Sequence, residues 1–402
     1  MSNTINRRNW LKNAGLLAGG LSVAPSFLQQ AVANPALQQE LYLDLSHEYS
    51  AMQAMNALPP AAIKARLGAN ENPWGLSDKT KEAVVNSLSE ANRYGMKIIK
   101  DLTDIIAEKE KLPIPPVEDG LMGTTKSYIK LGCGSSEFLS AAIMHFGQKG
   151  TILVGDPCYI SGNDEKVPME KVKLTADYQY DLDAMAAKAD PAKHSLIYIC
   201  NPNNPTGNIL PADKLRAFID KVADKVPVLV DEAYIDYAKD PIADCMVDKI
   251  RGGKNVIILR TMSKLYAFAG MRLGYALGKP ELLNPISKYT MNGFGLSVPT
   301  IMAAMTALKD TDYSKVILSN TAASKAYLLD FLKASGYTAI PSYANFVLFP
   351  IKMKGMVLTS KMREDGVMVR NWFFDAQHWC RVSIGTMDEM KAFTESFTKV
   401  VS

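Results

Sequence analysis

Apolar and polar residues along this 402-residue chain follow two periods in turn, and the switches between them mark its elements. Short, mostly apolar runs, the pattern of strands buried on both faces, fall at Tyr128–Leu131, Thr151–Val154, Leu196–Cys200, Val228–Val230 and Val256–Leu259. Between them the spacing widens to the helical period over Phe138–His145, Leu182–Ala189 and Ala212–Lys225. Upstream, Ser77–Ala91 and Ile98–Lys111 show the same helical spacing, with Ser77-Asp78 as a start signal. Residues 34–68 read as short helical pieces and loops, and the Pro- and Gly-rich stretch Lys111–Ser127 as an exposed insertion. Strands alternating with helices predict an α/β fold with a doubly wound, mostly parallel sheet, which takes ligands at the carboxyl ends of its strands. From about Pro299 the texture changes. Long helical patterns (Ile301–Leu308, Tyr313–Ser335) precede strand-like Phe346–Phe349, Val367–Arg370 and Cys380–Ile384, and a last helix starts near Met387. That predicts a smaller α+β domain. The expected partition is a targeting segment over 1–33, a segment over 34–68 that joins the small domain, a large domain over 69–298 and the small domain over 299–402.

Composition adds little to this picture except at the N-terminus. With 48% hydrophobic and 21% charged residues the chain is ordinary for a soluble globular protein. Of the net charge of +4, Arg7, Arg8 and Lys12 supply three, and no acid precedes Glu40, so the body is nearly neutral and nothing points to nucleic acid. Asn6-Arg7-Arg8-Asn9-Trp10-Leu11-Lys12 resembles a twin-arginine export motif. The Gly- and Ala-rich run Ala14–Leu28 is short for a stable membrane span, and Ala31-Val32-Ala33 offers a small-x-small cleavage site. The expectation is a protein exported in folded form by the twin-arginine translocation machinery to the periplasm, without a membrane anchor. Five scattered cysteines without a CxxC pair and four scattered histidines suggest neither a disulfide framework nor a metal site.

The candidate chemistry sits at the predicted strand ends. The stretch LRTMSKLYAFAGMRLG, Leu259–Gly274, places Thr261, Ser263, Lys264 and Arg272 around one turn after a buried strand. Two hydroxyls and a guanidinium can cradle a phosphate, and a lysine beside it can attack a carbonyl. The Gly-rich turn Gly132-Cys133-Gly134-Ser135-Ser136 opens a helix, whose first N–H groups suit an anion; Glu137 stands where a dinucleotide motif would need its third glycine. Tyr159, Asn204, and Asp231 with Tyr234 follow three other strands. The set matches what pyridoxal phosphate requires: an amine to hold it, a carboxylate for its ring nitrogen, an amide and a phenol for its ring oxygen, and a phosphate cup.

The segments CNPNNPTG, VLVDEAYIDY, TMSKLYAFAGMRLGY, SYANFVLF and CRVSIGT together resemble the class I/II, fold type I pyridoxal-phosphate-dependent aminotransferases. Within these, LGANENPWG and the short N-terminus are similar to the histidinol-phosphate aminotransferase group, and the resemblance covers residues 64–398. It implies that Lys264 forms the internal aldimine and moves the proton, that Asp231 holds the ring nitrogen, and that Tyr234 and Asn204 bond the ring oxygen. Tyr159 would stack on the ring, and Ser135, Ser136, Thr261, Ser263 and Arg272 would bind the phosphate. Tyr94 would reach the phosphate of a second subunit, which implies a homodimer. Arg381 would clamp the carboxylate of the amino acid or 2-oxo acid, Arg370 would meet a substrate phosphate, and Asn70 would shape the substrate entrance. The implied activity is transamination. A decarboxylase or carbon–sulfur lyase of the same fold, and a non-catalytic binder of the cofactor or an amine, are the alternatives. The export signal sets the chain apart from a cytosolic histidine-pathway enzyme, and Trp372, Phe373 and Phe374 suggest an aromatic amino donor.

Overall fold

The computed structural model describes residues 63–114, 126–160 and 167–402. The targeting segment, most of the segment over 34–68 and most of the expected insertion at 111–127 lie outside the described residues. In chain order the first elements are β1 (Ala65–Arg66), α1 (Asp78–Ser87), α2 (Met96–Glu110), β2 (Ile129–Gly132), α3 (Ser135–Gly147), β3 (Thr151–Asp156), β4 (Met169–Lys173), α4 (Leu182–Lys188), β5 (His194–Cys200), α5 (Ala212–Val222) and β6 (Val228–Asp231). There follow α6 (Pro241–Asp244), α7 (Val247–Arg251), β7 (Val256–Thr261), β8 (Gly274–Gly278), α8 (Pro280–Ser287), α9 (Val298–Lys309) and α10 (Thr311–Ala334). The chain closes with β9 (Phe346–Ile351), α11 (Gly355–Glu364), β10 (Val367–Met368), β11 (Arg370–Phe374), β12 (Gln377–Ser383) and α12 (Met387–Val401).

Seven strands form one sheet in the order β2-β8-β7-β6-β5-β3-β4. The pairs among β4, β3, β5, β6 and β7 are parallel, while β8 runs antiparallel to both β7 and β2. Every residue of β6 and of β7 is buried, as the unbroken apolar runs predict for strands covered on both faces. Two strands escape the sequence pattern. β4 is an edge strand, Met-Glu-Lys-Val-Lys, with one buried residue; β8, Gly-Tyr-Ala-Leu-Gly, is short and begins and ends on glycine.

A second core gathers on one face of the sheet β11-β12-β9, with Val347, Phe349, Cys380 and Val382 packed against Leu328, Leu358, Met390, Phe393 and Phe397. The strand expected over Val367–Arg370 divides at Val369, because the chain changes partners there: β10 pairs in parallel with β1 and β11 antiparallel with β12. Beyond residue 299 the chain still serves the first core. Ile301, Ala303, Ala304 and Ala307 of α9 bury in the first core, and α9 packs on α1 and α2. The division falls within α10, whose Ile317 belongs to the first core and whose Leu328 and Leu332 belong to the second. At about 1.5 Å per residue this 24-residue helix is roughly 36 Å long, enough to reach both.

Candidate active site

Sheet register assembles one half of the site. Thr261 pairs with Gly274 and Gly274 with Gly132, so the ends of β7 and β2 and the start of β8 lie in a row. The first turn of α3, with Ser135 buried and Ser136 half-buried, therefore stands beside the loop after β7. The Thr261 and Ser263 hydroxyls lie 3.0 Å apart, and the Ser263 amide donates to Thr261 Oγ1 at 3.2 Å. Arg272, in the left-handed region at φ 58°, donates through Nη1 to Ala269 O (2.9 Å) and through Nη2 to Cys133 O (3.0 Å), which joins the two loops into a cup. Two glycines are required there. A Cβ on Gly134 (φ 95°) would meet Arg272 Nη2 at 2.8 Å, and one on Gly274 would collide with the Ser135 amide.

Parallel pairing also puts Asp231 level with Cys200 and Leu259, at the middle of the same sheet edge. Its Oδ1 accepts the Ala233 amide at 3.1 Å. Burial, together with the neighbouring Glu232 charge, pushes this carboxyl up to about 7, against the pull of the Ala233 amide and of Lys264. Lys264 is half-buried; its Nζ donates to Ala69 O (3.3 Å) and lies 5.6 Å from the centre of the Tyr234 ring. Burial and the Arg381 charge bring the ammonium down to about 8, offset in part by Glu71 and Asp231.

The other half is built from remote segments. Arg381, 2% exposed, donates through Nη1 to Asn204 Oδ1 (2.6 Å) and through Nη2 to Gly68 O (2.8 Å), with its guanidinium 5.3 Å over the Phe346 ring. Burial lowers it to about 10, Arg370 pulling in the same direction. The Tyr234 hydroxyl accepts from Asn70 Nδ2 (2.9 Å) and Asn204 Nδ2 (3.4 Å), and burial pushes its pKa up.

Most of the sequence-predicted residues meet here, with three departures. Asn70, expected at the entrance, is 1% exposed and lies under the site: its backbone amide and Oδ1 bond Ser383 Oγ at 2.7 and 3.0 Å. Its left-handed φ of 55°, which asparagine tolerates well, turns the chain inward. Tyr94 is 90% exposed in the loop before α2 and lies outside the cluster. Arg370 lies directly across from Arg381 in the β11–β12 register and is exposed. Tyr159 is half-buried against the first core, near enough to bear on the Arg381 charge. Ser383 and Asn345 were not anticipated. Asn345 Nδ2 donates to Asn70 O (3.0 Å) and Glu71 O (3.3 Å). A signal existed for Ser383, which shares a strand face with Arg381 two residues earlier.

Three observations fit pyridoxal phosphate to this site. Asp231 is a buried carboxylate that makes no ion pair with a guanidinium among the described residues, suited to a protonated ring nitrogen. Arg381 Nε is buried without a hydrogen-bond partner, so the clamp keeps a donor for a carboxylate. The cup glycines let the Arg272 guanidinium and the first amide of α3 approach backbone where a Cβ would collide with them, which gathers donors suited to a phosphate. Fold and site together define a fold type I enzyme dependent on pyridoxal phosphate.

Comparison with known proteins agrees. Residues 62–397 match the model of the family described as aminotransferase class I and II, and the chain belongs to that family. It is 31% identical over 340 residues to histidinol-phosphate aminotransferase 1 of Idiomarina loihiensis, covering 83% of this chain and 89% of that protein. It is 32% identical over 337 residues to an aromatic amino acid aminotransferase of Rhodococcus erythropolis, with the same coverage of 83% and 89%. Among solved structures, histidinol-phosphate aminotransferase from Sinorhizobium meliloti in complex with pyridoxal-5'-phosphate superposes with a TM-score of 0.72 at 25% identity, over 84% of this chain and 91% of that one. The protein is thus a pyridoxal-phosphate-dependent aminotransferase that moves amino groups between amino acids and 2-oxo acids.

Proposed function

We propose that this transaminase is exported, dimeric, and takes an aromatic amino acid as donor. The observation that carries the donor class is the aromatic cluster on the sheet face that presents Arg381. By register, Arg381, Trp379, Arg370, Trp372 and Phe374 share that face. Phe374 stacks on Trp379 (4.8 Å, 2° between planes), and Tyr178 meets both edge-on. Of the three aromatics that suggested this class, Phe373 drops out: it is exposed on the opposite face, against His378. The relative from Rhodococcus erythropolis, named for aromatic amino acids, supports the same class. Arg370, opposite Arg381, favours a second reading in which the donor carries a phosphate. Initial rates for phenylalanine, tyrosine, tryptophan and histidinol phosphate, with 2-oxoglutarate as acceptor, decide between them. Faster turnover of histidinol phosphate than of every aromatic donor would remove the first reading.

The roles follow from geometry. Pyridoxal phosphate supplies an electron-withdrawing ring that stabilises the carbanion left when the substrate Cα loses its proton. The cup of Ser135, Ser136, Thr261, Ser263 and Arg272 would hold its phosphate, Asp231 its ring nitrogen, Tyr234 with Asn204 its ring oxygen, and Tyr159 one face. Arg381, braced by Asn204 and Gly68, fixes the substrate carboxylate and so orients the Cα–H bond toward Lys264. Lys264, already lowered toward neutral pH by burial, is suited to take that proton at Nζ and, as the ammonium, to give it back. This division of labour favours transamination over decarboxylation, which would need the carboxylate itself free to leave.

A second copy is supported by exposed apolar side chains, one of them on a loop tied to the cup. Leu88, Tyr94, Met291 and Phe294 are all exposed, and the Met291 amide is tied to Glu137 Oε1 (3.1 Å) in the first turn of α3. Sedimentation of the mature protein should give a dimer that Tyr94→Ala weakens. Export rests on the Arg7-Arg8 motif. Replacing both arginines with lysine should retain the protein in the cytoplasm, as read by fractionation.

A further inference from the structure

Helix α10 contributes to both cores, and near its middle lies a lysine that the chemistry above leaves unused. Lys325 Nζ donates to two backbone oxygens, Ser342 O (3.1 Å) and Ala344 O (2.6 Å). Among the described residues it has no carboxylate within ion-pair distance. Burial alone accounts for its lowered pKa, about 8. Both oxygens belong to the turn before β9, which Ser342 closes by donating to Phe346 O (2.5 Å) and accepting the Ala344 amide (3.2 Å).

That turn touches each remote segment of the substrate half. The Tyr343 amide donates to Gly207 O (2.6 Å), three residues beyond Asn204. Asn345 holds the carbonyls of Asn70 and Glu71. Ala344 and Phe346 pack on Ala233 and Tyr234, and the Phe346 ring lies 5.1 Å from Tyr234 and 5.3 Å beneath the Arg381 guanidinium. We infer that Lys325 is a positioning residue for the reaction: its ammonium group fixes the 342–346 turn, and the turn sets Arg381 and Tyr234 against each other. A half-buried charge held only by carbonyls carries a desolvation cost, which its two hydrogen bonds to the turn offset.

Lys325→Met keeps the aliphatic stem and removes the donors, and Lys325→Arg restores charge and donors. With phenylalanine and 2-oxoglutarate, a choice that rests on the donor proposed above, the Met variant should raise KM for the donor about tenfold, with kcat falling less. The Arg variant should recover most of the loss. A second readout needs no donor. In protein freed of cofactor, amide exchange at Tyr343 and Ala344 should quicken about tenfold in the Met variant, while β3 amides keep their rates. If the Met variant does not fold, Lys325→Gln serves for both readouts. Unchanged exchange at the turn overturns the inference, as does a uniform quickening across the first core, which would mark a purely structural lysine. Slow turnover of phenylalanine by the unaltered protein, with the local exchange change present, counts against the donor class and leaves Lys325 in place.

Discussion

The two halves of the site are made in different ways. The cofactor half is one edge of one sheet: Asp231, Thr261 and the cup glycines are held by strand register, within short motifs that run off strand ends. The substrate half is a junction, in which Arg381 from β12 reaches Asn204 and Gly68, 177 and 313 residues away in sequence. Register fixes the first half to the spacing of neighbouring strands, about 4.8 Å. The second depends on how two cores pack across α10. Mutations in the first half should therefore abolish chemistry, and mutations in the second should weaken substrate binding.

The largest effect should come from Lys264→Ala. Loss of both the anchoring amine and the base should lower turnover at least roughly 10⁴-fold and abolish the absorbance of bound cofactor. Asp231→Asn, which removes the carboxylate behind the ring nitrogen, should lower kcat by roughly 10²–10³-fold with little change in KM. Arg381→Lys would sharpen the contrast. It keeps the charge but loses the two-pronged contact, so KM for the amino acid should rise roughly 10- to 100-fold while kcat falls less. A larger loss in kcat than in KM there would break the comparison. The smallest effect is expected of Ser383→Ala, which strips Asn70 of its Oδ1 and amide partner: KM a few-fold higher, and stability lower by about 1 kcal/mol.

A pH measurement on the cofactor-free protein probes the same division. The Asp231 carboxyl is raised from 3.8 to about 7, so the unfolded chain gives up this proton at lower pH than the folded one. Its contribution to stability is thus full below about pH 4 and is lost as pH rises through 7. Melting curves from pH 4 to 8 should show this decline in the unaltered protein and less of it in Asp231→Asn. Bound cofactor should oppose the decline, because a protonated ring nitrogen pairs with the charged carboxylate.

The contrast also explains what the sequence made legible. Lys264, Asp231, Asn204 and Arg272 stand at strand ends in contiguous motifs; each polar cluster after an apolar run is weak alone, and their order and spacing together, with the family resemblance, single them out. The parallel strands announced themselves for the same reason, whereas β4 and β8 did not. One is a charged edge strand, and the other is short and bounded by glycine. Nothing local in the sequence marks Asn70 as lying beneath the site, because its neighbour Ser383 is 313 positions along the chain. Asn345 and Lys325 likewise act through contacts that exist only once both cores have packed. The change of texture near 299 marks no change of core, because Ile301, Ala303, Ala304 and Ala307 of α9 still pack in the first one.

The most direct test of the account is to reduce the cofactor-loaded protein with borohydride and map the modified peptide by mass spectrometry. Lys264 should carry the phosphopyridoxyl group, and Lys264→Ala should carry none. Modification of a different lysine in the unaltered protein, or of no residue at all, would contradict the placement of the reacting amine on the loop between β7 and β8.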